Sequence, residues 1–224
     1  MNPLPILRDS WYFFRRHLPA IARLCLPLVA LECLARYWLV VSLGDGAPPY
    51  ADLLIGLLFY PVYTAALILF LDARSRGVEP RNRELLASAL ALWPRLALLT
   101  ALSSLLIMLG ASLFLLPGLW AMIKLCFAEY LLVLDRQTPL GALQDSFRLT
   151  SGRFWLILFS VLAVMVPLWA FDWRVFPLLG TPDESLLPLL VDCLRSFLQL
   201  FASVVVFRLY MLARPDAYVM RPAE

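Results

Sequence analysis

The sequence predicts an all-α membrane protein: six transmembrane helices forming three pseudo-repeats, each an interfacial amphipathic helix plus a helical hairpin. Three observations predict it. Of 224 residues, 62% are hydrophobic and 16% charged, with mean hydropathy +0.81. A soluble domain has about half its residues apolar and about a quarter charged. The apolar excess lies in stretches long enough to cross a bilayer, which takes about 20 residues per helix. The basic residues lie between those stretches, and almost all of them lie on one side.

The spans fall at about 18–43, 53–71, 96–116, 119–134, 154–171 and 186–212. Together they make one integral membrane domain over residues 1–224. Pro117-Gly118 is expected to be the tight turn between the third and fourth spans. Of 19 Lys and Arg, fifteen lie on the side of the N-terminus. They are Arg8, Arg15, Arg16 and Arg23 before or at the first span, and Arg74, Arg76, Arg81, Arg83 and Arg95 between the second and third. Arg136, Arg148 and Arg153 follow the fourth, and Arg208, Arg214 and Arg221 end the chain. Only Arg174 lies opposite. The positive-inside rule then puts both termini in the cytoplasm, and reporters at Pro48 and Leu178 are expected to be external. Trp11, Trp93 and Trp155 are expected at the inner boundary. Trp38, Trp120, Trp169 and Trp173 are expected near the outer one. The start of the chain has no basic region leading to a short apolar core and a small-residue cleavage site, so the first span is expected to be retained.

The pseudo-repeats rest on spacing. Leu7, Leu85 and Leu143 are each followed three residues on by Ser10, Ser88 and Ser146. Seven residues further stand His17, Arg95 and Arg153, and then Leu18, Leu96 and Phe154 open a span. Each segment has apolar residues at helical spacing. Thr138-Pro139 is a sound start for the third, with a capping side chain and then proline at the first position. Pro94 and Gly152 are expected to break the second and third segments before the membrane is entered. An amphipathic helix with arginine on its polar face lies at headgroup level. The segments would thus form a basic collar, and Arg15, Arg16, Arg81, Arg83, Arg148 and Arg153 are the candidate contacts for anionic lipid or a protein partner.

Charged groups inside spans are costly and invite a functional reading. Here they are Glu32, Arg36, Lys124, Glu129, Asp192 and Arg195, at mid-depth or in the outer half. Glu32 and Arg36 (i,i+4) and Asp192 and Arg195 (i,i+3) each share a helix face. Lys124 and Glu129 do not, so Glu129 is expected to find its partner on another span or in water. The six are a candidate polar cluster.

Several chemistries are disfavoured. Cys25, Cys33, Cys126 and Cys193 lie in apolar stretches without CxxC or Cys/His spacing, so no metal and no cofactor is expected. His17 is the sole histidine and is expected to be a basic anchor at the interface. There is no HExxH, Walker loop or GxSxG, so the chain is not expected to be an enzyme. Its arginines are dispersed along a membrane face, which argues against a nucleic-acid partner. There is no GxxxG, and the oligomeric state stays open.

One stretch is distinctive. Pro117-Gly118, Phe127-Ala128, Thr138-Pro139-Leu140-Gly141-Ala142-Leu143, Ser146-Phe147-Arg148-Leu149-Thr150, Gly152 and Phe154-Trp155 follow in order. The pattern resembles the YciC family of bacterial inner-membrane proteins. It is also similar to the membrane domain attached to some glycerophosphodiester phosphodiesterases. The resemblance implies a multi-pass inner-membrane protein. The catalytic domain of those phosphodiesterases has no counterpart here, so their activity does not carry over. The reading expected is non-enzymatic action in envelope or lipid homeostasis, through membrane lipids or an envelope protein partner. A small-molecule or lipid transporter is the alternative, and whether a polar path crosses the bundle discriminates the two.

Overall fold

The computed structural model describes residues 3–43, 48–175 and 187–214. All of its regular structure is helical: α1 (Pro3–Leu43), α2 (Pro49–Ser75), α3 (Asn82–Leu113), α4 (Leu115–Leu125), α5 (Ala128–Asp135), α6 (Pro139–Thr150), α7 (Phe154–Val175) and α8 (Leu187–Ala213). Six helical stretches among the described residues are long and apolar enough to cross a membrane, α4 and α5 together counting as one. Leu178 and Arg221 lie outside the described residues.

α1 packs against α2 and α8, α2 against α3, α3 against α4, and α7 against α8. The core runs through these seams, with Ile21, Leu24, Leu67, Ile68, Leu71, Leu96, Leu99, Ile123 and Leu131 fully buried. The outer surface is apolar too. Leu98, Leu105, Met108, Leu109, Leu113, Phe114 and Leu116 are all more than half exposed along the α3–α4 hairpin. A surface of this kind suits lipid tails rather than water.

Two of the three expected interfacial helices do not exist as separate elements. α1 runs unbroken for 41 residues with Pro19 and Pro27 inside it, and α3 continues through Pro94. A proline removes one backbone donor, a loss that membrane helices tolerate. At about 1.5 Å per residue, α1 is roughly 60 Å long, twice the ~30 Å hydrocarbon thickness. Its first turns therefore project past the end of α2.

Only the third segment is distinct. Thr138 caps α6 by accepting from the Gly141 N–H at 3.3 Å, with Pro139 in the first turn. Gly152, at φ 91°, ends the segment in a conformation that side chains resist. α6 is two-faced, with Leu140, Gln144 and Arg148 exposed on one side. It packs on α5, α3 and α4, and buries Ala142, Leu143, Ser146 and Thr150. The matching serines diverge accordingly: Ser10 is buried and Ser88 exposed.

The third-to-fourth turn also falls earlier than expected. Phe114 is extended (φ −165°), and α4 has already begun at Leu115. Pro117 then sits in the first turn of a helix, where its missing N–H costs nothing. Gly118 instead allows close packing. A Cβ there would meet the Ala111 side chain at 2.8 Å and its backbone at 2.9 Å.

The fourth span is broken. α4 ends at Leu125 and α5 begins at Ala128, so neither half alone is long enough to cross. Ser146 of α6 closes the gap. Its hydroxyl accepts from the Phe127 N–H at 3.2 Å and donates to the Lys124 carbonyl at 2.7 Å. In hydrocarbon no water could satisfy these groups. Ser146→Ala is expected to cost about 1–3 kcal/mol, the usual price of leaving a buried backbone group unpaired. Unfolding in mixed micelles measures it, and a loss below ~0.5 kcal/mol would show that the break does not depend on Ser146.

Candidate functional site

The end of the bundle opposite the N-terminus holds a polar cluster built on α1 and α2. Glu32 and Arg36 share a face of α1, and the guanidinium Nη2 donates to Glu32 Oε1 at 2.7 Å. The Arg36 Nε lies 3.6 Å from Asp52, near the start of α2. Gly56 makes room for the guanidinium, since a Cβ there would stand 3.3 Å from Nη2. Glu32 is 5% exposed, and its second carboxylate oxygen is buried too. Asp192 of α8 acts electrostatically on both Glu32 and Arg36, and Arg195 lies 4.0 Å from Asp192.

Two tyrosines carry the cluster inward. Tyr63 interacts with Glu32, and its ring meets that of Tyr60 edge-on at 5.5 Å. The Tyr60 hydroxyl donates to Glu129 at 3.3 Å. Glu129 thus finds its partner on another span, in the first turn of α5 just past the break. Lys124 stands apart. It donates to the Ser151 hydroxyl at 2.9 Å and lies over the Trp120 ring at 5.9 Å.

Beyond Glu129 a second polar group forms on the N-terminal side. Tyr130 donates to the Ser203 carbonyl at 2.7 Å. Tyr210 lies 3.5 Å from Asp135, and Arg214 bonds both of them. Between the two groups the Tyr130 and Tyr210 rings stack at 5.6 Å, and no hydrogen bond joins them among the described residues. The polar series therefore reaches Glu129 and is interrupted by stacked aromatics before Asp135.

The family of a sequence shows in its pattern of breaks and small residues, and that pattern is now placed in the fold. The model of an uncharacterised protein family, UPF0259, matches residues 50–212, from the start of α2 almost to the end of α8. The chain belongs to that family. UPF0259 is the family also called YciC. No solved structure matches the chain.

In this UPF0259 protein the arginine-rich end is largely exposed. Arg15, Arg16 and Arg83 are exposed and form no ion pair with a described residue. Arg81 and Arg148 make long contacts, 3.9 Å to Glu84 and 4.0 Å to Asp145, with side chains more than four-fifths exposed. Arg153 is committed elsewhere, donating to the Leu212 carbonyl. Arg74 pairs with Glu79 at 2.6 Å and Arg76 with Asp72 at 2.7 Å. His17 packs between Phe13 and Phe70. Trp11 and Trp155 are exposed, whereas Trp93 turns inward and donates to the Leu58 carbonyl, one turn before Pro61.

Sequence reasoning missed Asp52, Tyr60, Tyr63 and the Tyr210–Asp135–Arg214 group. Tyr60 and Tyr63 do carry a signal, since polar-tipped residues three apart share one face of a span. The others meet only through packing.

Proposed function

We propose that this UPF0259 protein is a non-enzymatic lipid-binding protein of the bacterial inner membrane, acting in envelope lipid homeostasis. Both termini lie in the cytoplasm. The observation that carries the reading is the set of exposed guanidinium groups at one end, of which Arg15, Arg16 and Arg83 have no carboxylate partner among the described residues. Structural arginines are usually paired, as Arg36 and Arg74 are. Unpaired ones at headgroup level attract anionic lipid, each contributing about 1 kcal/mol. An envelope protein with an acidic face would use the same groups.

The test is extraction in native-lipid nanodiscs followed by mass spectrometry of co-purifying lipids and proteins. Wild type is expected to enrich anionic lipid over bulk. Changing Arg15, Arg16, Arg81 and Arg83 to Gln is expected to abolish that enrichment, since each loss is worth roughly fivefold. Bulk lipid composition around the wild type, with no stoichiometric protein, defeats the reading.

A second reading, a small transporter, has one observation in its favour. The series Arg36, Glu32, Tyr63, Tyr60 and Glu129 leads into the bundle and ends beside a broken span. Broken helices near the midplane are a habit of transporters. The interruption at Tyr130 and Tyr210 keeps this reading second.

A further inference from the structure

A groove of about 500 Å³ lies between the first turns of α1 and the last turns of α8, lined by Arg8, Asp9, Tyr12, Phe13 and Arg208. α1 supplies its four residues from one face, because positions 8, 12 and 9, 13 are each one turn apart. α8 supplies Arg208 from across the groove, 3.6 Å from Asp9. Arg8 is exposed and forms no ion pair with a described residue.

The depth follows from α2. The His17 ring meets Phe70 at 6.3 Å, close to the end of that helix. Residues 12 and 13 lie level with the last turn of α2, and residues 8 and 9 lie about a further turn out along α1, past its end. Trp11 and Tyr12 beside the groove are 54% and 67% exposed, as aromatic residues at headgroup level are.

We infer that this groove holds the headgroup of an anionic glycerophospholipid with a single phosphodiester, of the phosphatidylglycerol kind. The inference rests on the lipid-binding reading above and gives it a specific site. Two guanidinium groups and one carboxylate leave the lining at +1. One phosphodiester neutralises that charge, whereas a zwitterionic head leaves it unbalanced. Guanidinium forks match phosphate oxygens in pairs, which assigns the phosphate to Arg8 and Arg208. Asp9 accepts from a headgroup hydroxyl, and Phe13 offers the glycerol region an apolar wall.

The experiment uses the full chain in phosphatidylcholine nanodiscs doped with phosphatidylglycerol. Native mass spectrometry counts the phosphatidylglycerol retained. Wild type is expected to retain it over phosphatidylcholine, and Arg8→Gln/Arg208→Gln to lose at least about tenfold of that preference. Excess inorganic phosphate is expected to leave wild-type retention unchanged. Displacement by phosphate overturns the lipid assignment in favour of a soluble phosphate compound. Undiminished retention in the folded double variant overturns the site. If the double variant does not fold, Arg8→Gln alone carries the test, because Arg8 pairs with nothing described. The two readings fail separately. No anionic preference in wild type defeats both, whereas a preference that survives at Arg8/Arg208 but falls with Arg15, Arg16, Arg81 and Arg83 defeats the groove alone.

Discussion

Arg36→Met is expected to destabilise the protein by about 3 kcal/mol, the size of effect seen when one partner of a buried ion pair is removed. Glu32 is almost wholly buried, and its close bond is to Arg36 at 2.7 Å. Asp52 lies on the same guanidinium, and Asp192 adds a further negative charge nearby. Without Arg36, Glu32, Asp52 and Asp192 would share one end of an apolar bundle, where the half-exposed Arg195 lies 4.0 Å from Asp192. The cost is electrostatic rather than steric, because methionine fits where Gly56 already leaves space. The double variant Glu32→Gln/Arg36→Met is therefore expected to recover most of the loss, since it removes both charges together. Unfolding in mixed micelles through a double-mutant cycle measures the coupling directly. A single-variant loss under ~1 kcal/mol, or a double variant as unstable as Arg36→Met, would show that the pair is solvated and structurally idle.

That pair was legible in the sequence because four residues along a helix put two side chains on one face. The same local logic placed the six spans and the cap of α6, where Thr138 and Pro139 act within their own turn. It failed where distant residues decide. No glycine or proline marks the break at Cys126–Phe127. Its backbone groups are satisfied by Ser146, 19 residues on from Phe127, so the break exists only once α6 has docked. The same docking buries one face of α6 and leaves Leu140, Gln144 and Arg148 exposed on the other. Pro94 gave a false stop because a membrane helix bears one missing hydrogen bond more easily than an exposed backbone end. Pro117-Gly118 looked like a turn because both residues favour turns. Here proline opens α4 and glycine lets it touch Ala111. The basic groove escaped for a plainer reason: Arg8 and Arg208 lie at opposite ends of the chain and meet only when α8 returns along α1.

Glu129→Gln separates structure from transport. Glutamine keeps an oxygen that can accept from the Tyr60 hydroxyl, so the bond between α2 and α5 survives. The variant is expected to fold with a stability change under ~1 kcal/mol, whereas Tyr60→Phe, which removes the donor, is expected to cost about 1–3 kcal/mol. The amide cannot exchange a proton as the carboxyl can. If the polar series serves transport, its phenols and carboxyls hand on protons, and Glu129 is the group next to the broken span. Proteoliposomes holding a pH-sensitive dye, under an imposed potential, would then show wild-type proton flux above protein-free vesicles. Glu129→Gln would bring it down to that background. Flux equal in wild type and variant would exclude Glu129 from any path. An absence of flux in wild type would leave the stacked rings of Tyr130 and Tyr210 as the physical reason, a dry aromatic step that no described hydrogen bond crosses. The polar series would then be a brace that fixes α1, α2 and α5 around the break, and the chemistry of the protein would lie at its arginine-rich end.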